Sequence, residues 1–527
     1  MEQIIRVVKF TLLRVAWKSY RNEVFLPQVI SIDDAVFLKH FMGNSPTWYK
    51  QLILLFLVIN PVLLYFTEPT IVGWFILLEF IITLALALKC YPLLPGGLIA
   101  IEAVVLGLVT TEGVYHEVAS NLQVILLLLF MVAGIHFMKD LLSWIFTKIL
   151  IGIRSKTLLS LAFCFLGAIL SAWLDALTVT AVMIAVVFTF YNIYVSADLK
   201  ERVPNQINEE ERKLIARADL EEFDMFLRNL MMHGLVGTAI GGVCTLVGEP
   251  QNVIIAQKMG WSFKEFFLQM AHITIPIAIF GVLTTVLVEK FKIAGYGAKM
   301  PDRVKAILVH AAKVEEGEMN ASKRYLLWVQ GIAGLWVILA LAFHVAEVGL
   351  IGLSVIVFLA VFTGKNSEHV IGQSFQEATP FASLLIVFFV IVGMVQHTGL
   401  FEPIIEAALA QEGTSQTYFF FFASGLLSAI SDNVFVASIY IQQAIDAMPT
   451  DRAQLERIAV AINVGTNIPS IATPNGQAAF LFLLTNALAA KIHLSYLRMM
   501  KMALPYLIVL TATATLFLTF DWIELLF

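Results

Sequence analysis

A chain of 527 residues that is 59% hydrophobic and only 14% charged is not a soluble domain, which carries about 25% charged residues. Its net charge of −5 is too weak and too dispersed to argue for nucleic acid. The three scattered cysteines, Cys90, Cys164 and Cys244, suit neither a disulfide framework nor a structural zinc site.

Apolar runs of about 17–25 residues recur along the chain, which predicts an all-α polytopic membrane protein and not a barrel. Residues 1–50 begin with spaced basic residues and lack a clean cleavage site, and so read as a retained amphipathic segment on the cytoplasmic membrane surface. Spans are predicted at about 51–67, 71–88, 94–111 and 121–138. The apolar block at about 156–195 holds two helices joined near Ser171 to Asp175. Each half looks short for a crossing and a carboxylate sits at the join, so the block reads as a re-entrant hairpin or as two spans with a tight turn.

A linker at 196–227, with nine acidic and five basic residues, is expected to be solvated. The next span, Met231 to Gln257, is interrupted by Gly241, Gly242, Gly248 and Pro250, and Pro250 unwinds the helix at Glu249. A span at about 269–289 leads to a basic linker at 290–324. The second half repeats the order: spans at about 325–343, 347–363 and 380–397, a paired block at 417–445 around Asp432, a broken span at 456–489, and a last span at 503–522. This makes about 11 transmembrane helices plus two re-entrant hairpins.

Two landmarks share one register, Gly134 with Gly393 at an offset of 259 and Asp175 with Asp432 at 257. GEPQN at 248–252 is matched in order to ATPNG at 472–476. Units at 71–289 and 325–527, each with an odd number of crossings, are then inverted relative to each other. Loop charge agrees: the segments at 139–156, 290–324 and 491–501 are basic, whereas 112–120, 344–348 and 398–418 carry no Lys or Arg.

A carboxylate near the bilayer centre costs roughly 2.5–3.5 kcal/mol even on a lenient scale, so Asp175 and Asp432 ask for a reason. Inverted repeats with broken helices place their site at the repeat interface. The expected site joins the hairpin tips (Asp175 with Thr178; Ser431, Asp432 and Asn433) to the breaks (Glu249 and Asn252; Thr473 and Asn475). These side chains offer oxygen, as a small hard cation requires, with Asp175 and Asp432 the expected Na+ ligands. A carboxylate that binds either a cation or a proton, but not both, gives antiport.

Blander readings stand beside these. Asp175 and Asp432 can serve as helix N-caps, Asn252 and Asn475 can satisfy freed backbone groups, and Glu249 can face the polar linker. Glu79 and Glu102 read as scaffold or contact residues, and the Phe run at 419–422 as lipid-facing or packing. His233 is a candidate pH sensor or a structural histidine.

LDALTVTAV, GGVCTLVGEPQN, SAISDNVFVASIY and NIPSIATPNGQAAFLF, with CYPLLPGGL and AEVGLIGLSV, resemble the bacterial NhaB-type sodium/proton antiporter family over essentially the whole chain. The resemblance implies an inner-membrane antiporter that expels Na+ and Li+ in exchange for H+, supports pH homeostasis and needs no cofactor. By analogy with the wider ion-transporter superfamily it also implies a homodimer and an elevator-type motion. That superfamily includes sodium-coupled dicarboxylate carriers, which have Ser-Asn-Thr at both hairpin tips. Here the tips read Leu-Asp-Ala and Ser-Asp-Asn, which favours a proton-coupled cation exchanger over the alternative, a sodium-coupled anion symporter. An intramembrane hydrolase using the two acids finds no support, since HExxH and GxSxG are absent from the sequence.

Overall fold

The computed structural model describes residues 32–153, 155–200, 209–317, 319–365, 367–376, 378–411, 413–448 and 451–520. Most of the N-terminal amphipathic segment expected at 1–50 lies outside them. The chain divides into one unit up to Leu55 and another from Phe56 onward. In the first, Ile32–His40 is helical, and Lys50 donates to the carbonyls of Leu38 and Gly43, each at 2.6 Å.

Every regular element among the described residues is helical. Seven helices are long and apolar enough to cross a membrane, or eight when the bent pair Thr111–Ser120 and Leu122–His136, which turns by 62°, counts as one span. Pro69–Ala85, Leu93–Val105 and Val348–Thr363 are apolar but shorter. The predicted spans at 71–88 and 94–111 ran too far because the chain leaves the helix at Leu86 and Leu106.

The large unit is organised by two hairpins and two broken helices. The first hairpin is Lys156–Trp173 and Ala176–Lys200, at 18 and 25 residues; the second is Thr414–Ile430 and Asn433–Ala447, at 17 and 15 residues. The arms of the first hairpin are therefore longer than the sequence suggested, since helix continues on both sides of the two-residue join at Leu174 and Asp175. At the second join Ser431 and Asp432 are extended, with φ of −112° and −111°.

The first broken helix is Glu209–Gly242 followed by Pro250–Met259. Pro250 occupies the first turn of its helix, where a missing N–H costs nothing, and Glu249 before it is extended at φ −146°. The stretch expected to be a solvated linker is helical from Glu209, with Arg217 and Glu221 exposed and Asp224 buried near its end. The second broken helix is Arg452–Asn467, a short 3₁₀ turn at Pro469–Ala472, and Ala478–Thr485.

In each half the first hairpin arm packs on the first piece of its own broken helix. The approach is close enough to need glycine. A Cβ at Gly237 would lie 2.1 Å from the Cys164 carbonyl oxygen, and one at Gly465 would lie 2.5 Å from that of Phe421. The second pieces are exchanged: Pro250–Met259 packs on Asn433–Ala447, and Ala478–Thr485 packs on Ala176–Lys200. Each half thus completes the other's hairpin, and both breaks are drawn to one region.

Candidate functional site

Matching hydrogen bonds pin both hairpin tips to their breaks. Ser171 donates to the Thr238 carbonyl at 2.9 Å and Ser428 to the Thr466 carbonyl at 3.1 Å. Thr245 donates to the Ala172 carbonyl, and Thr473 to that of Ala429. Ser171 and Ser428, like Ala172 and Ala429, stand 257 residues apart, the offset of Asp175 and Asp432; Thr238 and Thr466, like Thr245 and Thr473, stand 228 apart. On the same 228-residue offset Gly248 falls opposite Gly476 and Glu249 opposite Gln477, whereas GEPQN and ATPNG stand 224 apart.

Both aspartates cap the second helix of their hairpin. Asp175 Oδ2 accepts from the Thr178 backbone N–H at 3.0 Å and from its hydroxyl at 3.2 Å. Asp432 Oδ1 accepts from the Val434 and Phe435 N–H groups at 2.8 and 3.4 Å. A cavity of about 340 Å³ receives Asp432 and Ser431 from the second tip, Thr178 from the first hairpin and Asn475 from the second break. Tyr91 and Phe388 stand among its largely apolar walls. Asp175 is 3% exposed and does not itself line this cavity, to which it is linked through its bond to Thr178.

Glu249 does not face the polar linker. It is 4% exposed, its Oε1 has no hydrogen-bond partner, and the charges of Asp175 and Asp432 both act on it. Among the described residues, no three His, Cys, Asp or Glu side chains are grouped so that they could hold a metal ion. A cation at the tips would therefore draw on hydroxyl, amide and backbone oxygens as well as carboxylate.

The amides and the remaining hydroxyl of the expected site make backbone and side-chain bonds of their own. Asn252 donates to the Gly242 and Thr245 carbonyls at 2.7 and 2.6 Å. Asn475 donates to the Leu84 carbonyl at 2.9 Å, leaving its Oδ1 unpartnered. Asn433 accepts from Ser428 and stays inside its hairpin. The Thr473 hydroxyl is taken by Ala429.

His233 lies outside the cavity, nine residues before the helix end at Gly242, or about 14 Å at the helical rise. It bonds Tyr506 at 2.7 Å and Glu289 at 2.8 Å, stacks on Tyr296, and shares Glu289 with Lys156 and Ser160. It is a member of a buried polar cluster.

Two residues at the break interface escaped the sequence reading. Asn467 Oδ1 accepts from Gln251 at 2.9 Å, and Asn467 Nδ2 donates to Asn252 Oδ1 at 3.3 Å. This amide chain joins the first break to the second. Its one sequence signal was polar residues at the ends of apolar helices, next to Pro250 and Pro469.

The family description "Bacterial Na+/H+ antiporter B (NhaB)" matches residues 29–525. The chain is 55% identical to the Na(+)/H(+) antiporter NhaB of Teredinibacter turnerae, across 90% of this chain and 96% of that protein. It is 52% identical to the Na(+)/H(+) antiporter NhaB of Marinobacter nauticus, again across 90% and 96%. With that of Pasteurella multocida it shares 53% identity across 91% of this chain and 94% of the relative. On an all-helical chain with seven or eight membrane-span helices and paired acidic hairpin tips, this agreement settles the family: the chain belongs to the NhaB family of bacterial Na+/H+ antiporters.

Proposed function

We propose that this chain exchanges cytoplasmic Na+, and Li+, for external H+ across the bacterial inner membrane, with its N-terminus cytoplasmic. The observation that carries the site assignment is the cavity that holds Asp432, Ser431, Thr178 and Asn475 from three separate elements of the two halves. A cation entering it meets Asp432 Oδ2, the carboxylate oxygen not used in the cap, the Ser431 hydroxyl and the unpartnered Asn475 Oδ1. Asp175 supports the opposite wall by holding Thr178 through its backbone and hydroxyl.

Exchange follows from competition. A buried carboxyl with no counter-charge holds a proton or takes a cation, because an isolated buried charge is costly. With Asp432 in the cavity and Glu249 behind it, loading Na+ displaces a proton and loading a proton displaces Na+. The two hairpin-and-break units act in this reading as inverted repeats, moving together as the transport body of a homodimer by an elevator-type displacement. The shared register of their tip contacts supports the repeat.

The test is dye-monitored proton movement in everted vesicles from cells lacking other sodium/proton antiporters. Addition of NaCl or LiCl should collapse a respiratory proton gradient only when this chain is present, and choline chloride should not. A response that appears only when an organic anion is supplied would replace antiport with symport.

A further inference from the structure

A second group of buried oxygens lies outside the exchange cavity, on three successive helices. Asn60 on Thr47–Phe66, Glu79 on Pro69–Ala85 and Glu102 on Leu93–Val105 are 0%, 4% and 8% exposed, and none of them lines the cavity. One nitrogen, Asn60 Nδ2, donates to Glu79 Oε2 at 2.7 Å and to Glu102 Oε2 at 2.8 Å. Two carboxylate oxygens are thus held close together in a dry interior. Among the described residues, no Lys, Arg or His forms an ion pair with either carboxylate or acts electrostatically on it.

A neutral amide orients two carboxylates but does not neutralise them, and two like charges at this separation repel strongly where water is excluded. Asn60 Oδ1, on the same planar amide, is buried without a partner. Turning the amide by half a turn places that oxygen where the nitrogen now sits, facing both carboxylates, an arrangement that a cation or a proton between them makes favourable. Pro61 follows Asn60 inside the helix and deprives the Leu57 carbonyl of its usual helical donor. The local chemistry is oxygen-rich and anionic, which suits a small hard cation.

We propose that Glu79, Glu102 and Asn60 form a second site for a small monovalent cation, Na+ or Li+, which ties these three helices together and does not take part in exchange. The test is equilibrium binding of radioactive ²²Na+ to the purified full-length protein carrying Asp175→Asn and Asp432→Asn, so that the exchange site is silenced. One Na+ per chain should remain bound, competed by Li+ and not by choline. Adding Glu79→Gln or Glu102→Gln, which keeps the size and hydrogen bonding of each side chain, should weaken that binding at least tenfold.

Failure of the silenced protein to bind Na+, or unchanged binding after either Gln substitution, overturns the proposal. Where the Gln variants do not yield folded protein, Asn60→Asp is read instead: a third carboxylate should tighten Na+ binding, and equal or weaker binding overturns the site. Since both aspartates of the exchange site are already replaced in this background, a failure here leaves the antiport reading untouched.

Discussion

Asp175 and Asp432 hold equivalent positions in the two halves but have different surroundings. Both accept backbone N–H groups at the start of a helix, and asparagine caps a helix about as well as aspartate. Asp→Asn at either position therefore removes the charge while keeping the cap, so the folded yield of both variants should match the parent. Because Asp432 opens to the cavity, Asp432→Asn should raise the Na+ concentration for half-maximal exchange on the order of 10- to 100-fold, as expected for losing one charged ligand. Initial-rate curves at constant pH would show it. Asn252→Ala should instead lower the thermal unfolding midpoint, since the Gly242 and Thr245 carbonyls lose their donor at about 1–3 kcal/mol. An unchanged midpoint would remove its structural role. The acids were legible in the sequence because a charge in an apolar run is costly. Asn467 and Gln251 were not, because an amide near a helix break gives no hint of which distant amide it will meet.

At the scale of elements, each hairpin and its break form a unit held by small-residue packing and paired hydroxyl–carbonyl bonds. Gly237→Ala and Gly465→Ala force a methyl group against a facing backbone carbonyl, and overpacking of this kind costs about 1–3 kcal/mol. Both should lower the unfolding midpoint of purified protein, whereas Gly331→Ala, which meets nothing within 4 Å, should not. Equal midpoints across the three would contradict the close-packed reading. The hairpins and breaks were visible from Pro250, Pro469 and the isolated acids. The offset at which the break bonds recur was not, because letters alone aligned GEPQN with ATPNG at 224 residues, whereas the bonds of Thr245 and Thr473 recur at 228. The helix beginning at Glu209 was hidden as well: its charged first turns read as linker, although they lead directly into buried Phe223, Asp224 and Arg228.

Across the whole molecule, the exchanged second pieces make the two halves one body: Pro250–Met259 lies on Asn433–Ala447 and Ala478–Thr485 on Ala176–Lys200. If that body moves as a unit, linking its halves should not stop transport. Lys258 donates to Gln442 at 2.7 Å between two of these helices. A bismaleimide bridge with a reducible disulfide in its spacer, between Lys258→Cys and Gln442→Cys, with Cys90, Cys164 and Cys244 replaced, should leave more than half of the exchange rate. Loss of exchange on bridging, restored when the bridge is cleaved, would mean that the halves move against each other.

Exchange of Na+ and H+ through the Asp432 carboxylate, in the cavity it shares with Thr178 and Asn475, is tested by Na+-driven proton movement in proteoliposomes containing equal amounts of purified parent, Asp432→Asn and Asp432→Glu proteins, with no other transporter present. At low Na+ the parent should exchange, Asp432→Asn should fall to the rate of empty liposomes, and Asp432→Glu should keep a reduced rate because a carboxylate remains at the tip. Parent-like exchange by Asp432→Asn across the Na+ range would contradict exchange through this carboxylate.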